Sequence, residues 1–235
     1  MFDNLADQVY KALVVNDRWV LYIDGLLVTL MIAAIAVVLG VVIGSGVAMG
    51  KVSALNNRKF KWLGVICEIY TTVIRGTPVL VQLLIMYYVV FASAKREMAP
   101  YVAALAFGIN SGAYVAEIVR AGIMAVPRGQ MEAGRSLGLT NGMTMRQIIF
   151  PQAIKNILPA LGNEFIILFK ETSIVGYIAV TDLTRASELV RTQTYQALVP
   201  LLIIAAIYLG IVMLITWALR KLEKRLARSD VRYSA

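Results

Sequence analysis

Five apolar stretches limit what this chain can fold into more than any other feature. They occupy residues 25–50, 62–94, 98–125, 157–180 and 197–219. Because the hydrocarbon core of a bilayer is about 30 Å thick, a helix that crosses it needs about 20 mostly apolar residues. Each stretch meets this requirement, so the sequence predicts an all-α membrane protein with five transmembrane helices.

The second stretch contains a break at "RGTP", residues 75–78. As one straight helix, residues 62–94 would be about 50 Å long, which is too long for an upright crossing. Each half alone is short for a crossing. Proline removes a helical hydrogen bond, so we predict one tilted crossing that is broken near Pro78.

The distribution of positive charge predicts the orientation of the chain. Fifteen Lys and Arg residues fall on one side of the predicted membrane, and six fall on the other. The richer side comprises residues 51–61, 120–155 and 220–235, and the poorer side comprises residues 1–24, 95–96 and 181–196. Positive residues accumulate on the cytoplasmic side. We therefore predict an extracytoplasmic N-terminus and a cytoplasmic C-terminus, which explains the net charge of +9 without invoking nucleic acid.

The two ends of the chain have their own predicted roles. The apolar residues near the N-terminus recur at helical spacing: Phe2, Leu5, Ala6, Val9 and Leu13. This pattern predicts an extracytoplasmic surface helix within residues 1–24. Residues 25–219 form the predicted transmembrane domain. Residues 220–235 form a basic cytoplasmic tail that either contacts anionic lipid or serves as a docking surface.

The composition argues against catalysis by this chain. It has no histidine and one cysteine, Cys67, so an internal disulfide is excluded and a metal site is disfavoured. The sequence contains no G-x4-G-K-[ST] phosphate-binding loop. We predict no catalytic residue, no metal and no cofactor bound by this chain.

A polar segment, residues 126–153, separates the third and fourth apolar stretches. Pro127 can begin a helix, and Gly138 can end it in the left-handed conformation. Thr140 can cap a second helix, or Thr144 can form a capping box with Gln147. Pro151 then bends the chain toward the fourth apolar stretch.

The length and order of this segment indicate a binding role. A plain connector between helices needs about five residues, whereas this segment is far longer and carries helix start and stop signals. Apolar residues are available to fold it together: Leu137, Leu139, Ile148, Ile149 and Phe150. We interpret it as a rigid element that another protein grips.

The segment also matches a family pattern. "EAGRSLGLTNGMTMRQIIFP" resembles the EAA signature, EAA-x3-G-x9-I-x-LP, of bacterial ABC importer permeases. Gly134 replaces the second alanine and Phe150 replaces the leucine, with the spacing intact. Three further motifs resemble the polar amino-acid branch, which includes histidine, glutamine, arginine and cystine permeases: "RGTPVLVQLLIMYY", "NSGAYVAEIVRAGI" and "LPALGNEFIILFKETS". The resemblance covers nearly the whole chain.

The resemblance implies a function and a set of partners. The chain would have the type I ABC importer permease fold and be the membrane-spanning subunit of an ATP-driven importer of polar amino acids. Residues 126–153 would be a coupling loop, in which Glu132, Ala133 and Gly138 contact a cytoplasmic ATPase. Two ATPase subunits per complex would bind ATP and Mg, and an extracytoplasmic substrate-binding protein would deliver the amino acid. A second permease subunit is expected, with a homodimer favoured over a heterodimer, in a bacterial inner membrane.

Charged and polar residues within the apolar stretches are candidates for substrate binding, because charges are costly in a membrane. By resemblance, Glu164 lies at the substrate pocket, where it can bind an ammonium group; alternatively, it pairs with Arg75 or Lys170 to hold helices together. Arg75 can hold an α-carboxylate or neutralise Glu164. Asn110 and Ser111 serve either helix packing or the pocket, and Gln82 is a further pocket candidate. Glu117 and Arg120 are predicted to form a pair on one helix.

Two other functions remain open from the residues alone. An ion-coupled secondary transporter or channel could use Glu164 and Lys170 as its ion or proton groups, and it would need no ATPase. A structural membrane anchor is disfavoured by the charges in three of the apolar stretches. The carried amino acid is not specified by the sequence, although Glu164 favours a cationic one.

Overall fold

The chain folds into helices throughout the part that the structure describes. The computed structural model describes residues 2–56 and 58–231, and within these ranges it contains no β-strand. The α-helices are α1 (Phe2–Leu13), α2 (Trp19–Asn56), α3 (Lys61–Gly76), α4 (Val79–Ile85), α5 (Ala99–Met124), α6 (Arg128–Ser136), α7 (Asn141–Thr144), α8 (Phe150–Glu171), α9 (Leu183–Thr194) and α10 (Leu198–Val231). Two π-helical turns, Met86–Val90 and Met145–Ile149, continue α4 and α7. The predicted all-α class is confirmed.

Three helical segments of the described residues are long and apolar enough to cross a membrane by themselves: Val15–Ala54, Arg96–Met124 and Leu198–Arg225. They correspond to the first, third and fifth apolar stretches. The second stretch forms the pair Lys61–Gly76 and Val79–Val90, which is bent by 104° at its break. The break falls at the predicted proline, because Thr77 and Pro78 are both extended. The predicted break near Pro78 is present, and whether the bent pair makes one tilted crossing stays a prediction.

The fourth apolar stretch is less apolar than the others. It lies mostly in α8, which also carries Glu164, Lys170 and Glu171, and α8 is not among the candidate spans. The number of spans and their orientation therefore stay predictions. Pro159 lies inside α8 without ending it.

The chain forms two compact units. The first comprises the described residues up to Val37 together with Pro78–Phe107 and Phe165–Thr216. Its core contains large buried side chains from four α-helices and from the 3-10 helix Thr172–Ile178: Ile32, Leu83, Phe107, Leu168 and Ile178. The second comprises Val38–Thr77, Gly108–Glu164 and the described residues from Trp217 onward. Its core contains Ala48, Val115, Val119, Ile149, Ala153 and Ile157.

Within the first unit, a buried carboxylate begins α9. Asp182 accepts hydrogen bonds from the backbone N–H groups of Thr184, at 3.1 Å, and Arg185, at 2.9 Å. Burial raises the pKa of the Asp182 carboxyl, although these backbone donors act in the opposite direction. Thr29 of α2 accepts a hydrogen bond from the Leu183 N–H at 3.2 Å. This cap fixes the loop before α9 to α2.

The two ends of the chain are helical. In α1 the apolar residues Leu5 and Val9 are exposed, as a surface helix requires, although its membrane location stays a prediction. The Phe2 side chain lies outside the described residues. At the other end, α10 continues past residue 219 to Val231, because Lys, Arg, Glu and Leu are good helix formers. The predicted basic tail is thus largely helical, and residues 232–235 lie outside the described part.

Candidate functional site

A buried carboxylate belongs to the chain's second unit. Glu164 of α8 is only 5% exposed, and its Oε1 accepts a hydrogen bond of 2.8 Å from the hydroxyl of Ser111, a fully buried residue of α5. Among the described residues, Glu164 takes part in no ion pair. A buried carboxylate usually needs more than one neutral donor to offset its desolvation. This site is therefore suited to receive a positively charged group or further hydrogen-bond donors.

The other predicted pocket residues have different surroundings from Glu164. Arg75 is exposed, and its guanidinium lies over the ring of Tyr114, 5.2 Å from the ring centre. Arg75 therefore does not neutralise Glu164 in the structure. Asn110, which precedes Ser111 in α5, is also buried. Gln82 is half-buried on α4, in the first unit.

Ser111 joins α5 to α8 through its side chain. Its hydroxyl bonds directly to the carboxylate of Glu164, and this bond is compatible with both predicted roles, helix packing and substrate binding. The neighbouring backbone is also tied to another helix, because the Tyr70 hydroxyl of α3 donates to the Ile109 carbonyl oxygen at 2.6 Å. The α5 segment that presents Ser111 is thus fixed in position against α3.

A second charged cluster surrounds Lys51. The Lys51 side chain is 8% exposed, and its ammonium group lies 2.8 Å from the Glu68 carboxylate and 2.7 Å from the Glu117 carboxylate. It also donates to the hydroxyl of Thr71 at 2.8 Å. Glu117 in turn pairs with Arg120 at 2.8 Å, which confirms the predicted pair on α5. The cluster joins α2, α3 and α5 through one ammonium group.

The sequence prediction missed the role of Lys51 because it placed this residue in a loop. By composition the first apolar stretch ends at residue 50, and Lys51 was counted as a topology signal. In the structure α2 continues to Asn56, so Lys51 lies inside the helix and faces α3 and α5. The apolar residues Val52 and Ala54 continue the helical pattern past residue 50, and they could have indicated that Lys51 lies inside the helix.

The 126–153 segment contains the two predicted helices, and a glycine ends the first of them. Gly138 has φ +83°, the left-handed conformation that we expected. Its N–H bonds to the Arg135 carbonyl at 3.0 Å, and the Leu139 N–H bonds to the Gly134 carbonyl at 3.1 Å. These two bonds form a Schellman motif, which satisfies carbonyl groups at the end of α6. Pro127 directly precedes α6, so both predicted boundary residues are confirmed.

The second helix of the segment is capped by Thr140. Its hydroxyl accepts a hydrogen bond from the Met143 N–H at 3.3 Å, whereas Thr144 is buried and donates to the Thr140 carbonyl at 3.0 Å. The capping box at Thr144 is therefore not formed. Next, the chain widens into a π-helical turn, in which the Phe150 N–H bonds to the Met145 carbonyl. Phe150 separates this turn from Pro151. The ring of proline and its missing N–H disfavour regular helical hydrogen bonding.

One face of the segment is exposed while the other packs into the core. Glu132, Ala133 and Gly138 are all exposed. Met131 and Ile148 pack against the buried cluster that includes Ile149 and Ala153. The exposed residues are therefore presented by a rigid support that is continuous with α5 and α8.

Two residues predicted to fold the segment together are instead on its surface. Leu137 is 81% exposed, and Phe150 is 46% exposed. Leu137 caps the C-terminal end of α6, where the chain leaves helical geometry and turns away from the packed face. Phe150 lies where the π-helical turn meets α8, and the wider turn shifts it from the regular helical face. The prediction for these two residues was wrong.

Gly134, the first departure from the family signature, lies on the packed face. A Cβ atom at this position would lie 2.5 Å from Cγ2 and 2.9 Å from Oγ1 of Thr144. Such distances are closer than van der Waals contact permits, so α6 and α7 approach each other because residue 134 has no side chain. The replacement of alanine by glycine therefore concerns packing within the segment.

Comparison with known proteins agrees with this architecture. Residues 40–228 match the family model of the binding-protein-dependent transport system inner membrane component. The chain belongs to this family. It is a permease subunit of an ABC amino-acid importer, and it has the fold of type I importer permeases.

Individual relatives cover most of this permease. It is 40% identical over 205 residues to the putative glutamine transport system permease protein GlnP of Rickettsia bellii (strain RML369-C), covering 87% of this chain and 92% of that protein. It is 38% identical over 209 residues to the arginine transport system permease protein ArtQ of Bacillus subtilis (strain 168), covering 88% and 93%. A chain in the crystal structure of an amino acid ABC transporter with histidines is 46% identical, with a TM-score of 0.81, and covers 87% of this chain and 94% of that one.

Proposed function

We propose that the permease is driven by a separate cytoplasmic ATPase that grips the exposed face of the 126–153 segment. The observation that carries this proposal is the division of the segment into an exposed face, with Glu132, Ala133 and Gly138, and a face packed into the core. The Glu132 carboxylate can pair with a basic side chain of the ATPase. Because the segment is packed onto α5 and α8, a displacement of the segment is transmitted to the helices that hold Ser111 and Glu164.

The proposed complete transporter has the parts that the family resemblance implies. Two ATPase subunits bind ATP and Mg, and an extracytoplasmic binding protein delivers the amino acid. Two copies of this permease form the path in a bacterial inner membrane. ATP binding and ADP release bias a two-state equilibrium between inward-facing and outward-facing forms. The chain itself performs no chemical reaction and binds no cofactor.

ATP dependence tests this proposal against the ion-coupled alternative. The permease is purified from its own membrane, and vesicles are prepared with the permease alone or with its co-purifying ATPase and the binding protein. We expect uptake of a labelled amino acid only when the ATPase and ATP are present. Uptake by the permease alone, driven by a sodium or proton gradient, would establish the ion-coupled function instead.

We further propose that Glu164 and Ser111 form part of the substrate pocket, with Asn110, Arg75 and Gln82 as additional candidates. The support is a buried carboxylate whose described partner is one hydroxyl group. Every amino acid has an ammonium group that this carboxylate can bind, and a cationic side chain would bind it more strongly. The relatives are named for glutamine, arginine and cystine transport, so these three and histidine are the substrates to test.

Replacing Glu164 by Gln should reduce ATP-dependent uptake without unfolding the protein. The amide oxygen of glutamine can still accept the hydrogen bond from Ser111, but the negative charge is lost. Since a hydrogen bond to a charged group contributes about 1.5–3 kcal/mol, we expect roughly tenfold or more slower uptake at low substrate concentration. Uptake kinetics in vesicles measure this effect.

Ser111→Ala is the matched control, because it removes the hydroxyl and retains the charge. We expect it to slow uptake less than Glu164→Gln does. If uptake of all four amino acids by Glu164→Gln equals that of the wild type, Glu164 is not a pocket residue.

A further inference from the structure

The second unit contains a large apolar cavity beside the 126–153 segment. Its volume is about 700 Å³, and its walls come from α2, α5, α6, α7, the following π-helical turn and α8. This volume lies within the range of small-molecule binding sites in proteins. Unlike the Glu164 and Lys51 sites, it has no charged side chain among the described residues that line it. It is therefore unsuited to an amino acid or a nucleotide, and it fits the apolar part of a ligand.

Three polar side chains line the cavity: Ser45, Ser53 and Asn141. Ser53, near the end of α2, and Asn141, at the start of α7, are both exposed. Along α8 the wall runs from Phe150 to Leu161, a distance of about 16 Å for eleven residues of helix. Two exposed polar residues and a long apolar wall are features that suit one acyl chain of an amphiphile whose headgroup stays in water.

The cavity is continuous with an exposed apolar face of α2. Val38, Val42 and Met49 are 61%, 67% and 67% exposed. They lie at positions i, i+4 and i+11, so they share one face of the helix, and Met49 also lines the cavity. Because α2 is a candidate membrane span, this face meets the acyl chains of the bilayer, and the cavity lies at its end.

We propose that an acyl chain of a bilayer phospholipid occupies this cavity. The headgroup of the lipid lies near Ser53 and Asn141, and the acyl chain follows the α8 wall. Met131 and Met145 also line the cavity, and methionine side chains adapt to flexible apolar ligands. Met131 belongs to α6, which also carries the exposed residues Glu132 and Ala133. A bound acyl chain therefore contacts this helix on the side opposite its exposed face and stabilises its position. That last consequence depends on the proposed function, whereas the binding itself does not.

Photolabelling tests the binding directly. The purified permease, with its co-purifying subunits, is reconstituted in vesicles that contain a phospholipid with a diazirine in one acyl chain. We expect labelled peptides that contain Met131, Ile154 or Leu158. Leu158→Trp should fill the cavity and abolish this labelling. Met213→Trp, on an exposed apolar face of α10, is the matched control and should leave the labelling unchanged.

Three results would overturn the proposal, and the first needs no variant. The first is that the phospholipid labels the wild-type protein only at exposed faces outside the cavity. Another is labelling of the cavity by a diazirine fatty acid but not by the phospholipid. The third is a disulfide-linked dimer formed through Met49→Cys in a Cys67→Ser background, because a second copy would then cover the α2 face. None of these readouts depends on transport, so failure here is distinguishable from failure of the ATPase proposal.

Discussion

Gly138→Asp should reduce amino-acid uptake strongly while leaving the permease folded and inserted in the membrane. Beyond the adjacent residues, no described atom lies within 4 Å of a Cβ built at Gly138, so the new side chain has space, and the main cost is its left-handed backbone, about 1 kcal/mol. The carboxylate would, however, lie on the exposed face with Glu132 and Ala133. There it would disturb the proposed contact with the ATPase, and loss of a typical coupling free energy of about 1–3 kcal/mol reduces coupling roughly tenfold or more.

The measurements are ATP-dependent uptake and ATP hydrolysis by the same reconstituted complex. We expect hydrolysis without stimulation by the substrate-loaded binding protein. Gly142→Asp is the matched control, because Gly142 also has open space around a Cβ and lacks the positive φ. If Gly138→Asp transports at the wild-type rate, this glycine takes no part in coupling.

Lys51→Met should strongly destabilise the folded permease. The substitution leaves the carboxylates of Glu68 and Glu117 without their shared ammonium group, and Glu117 is largely buried. Removal of one partner from a buried ion pair typically costs about 3–5 kcal/mol. Two features reduce this cost: Glu68 is exposed, and Glu117 keeps its ion pair with Arg120. We therefore expect the free energy of unfolding to fall by about 3 kcal/mol. Thermal unfolding in detergent measures the change.

Lys61→Met is the control for this prediction. Lys61 lines one cleft together with Lys51 and Glu117, but its side chain is exposed. Its loss should therefore have little effect on thermal unfolding. Adding Glu117→Gln to Lys51→Met should restore part of the stability, because it removes one of the unpaired charges. An unchanged unfolding temperature for Lys51→Met would show that the cluster does not hold α2, α3 and α5 together.

The parts of the fold that the sequence predicted well depend on local chemistry. The apolar stretches, the helix break at Pro78 and the left-handed turn at Gly138 each follow from a few consecutive residues. The size of the bend at Pro78 could not be predicted in this way, because proline removes a hydrogen bond without fixing the direction of the next helix.

The candidate site was predicted only in part, because its contacts join distant parts of the chain. The residue types of Glu164 and Ser111 marked them as unusual in apolar helices, but their direct hydrogen bond depends on how α5 packs against α8. Arg75 was an equally reasonable partner on charge alone, and it lies over Tyr114 instead. Lys51 was missed because helix ends are the least certain feature of a sequence prediction.

The contact between Gly134 and Thr144 makes these two positions interdependent in size. A permease with alanine at position 134 needs a smaller residue than threonine at position 144, or a wider separation of its two helices. A larger residue at position 134 therefore acts first on the packing of α6 against α7, because Gly134 faces Thr144 and not the exposed face. The exposed face with Glu132 and Ala133 can stay the same when residues 134 and 144 change together.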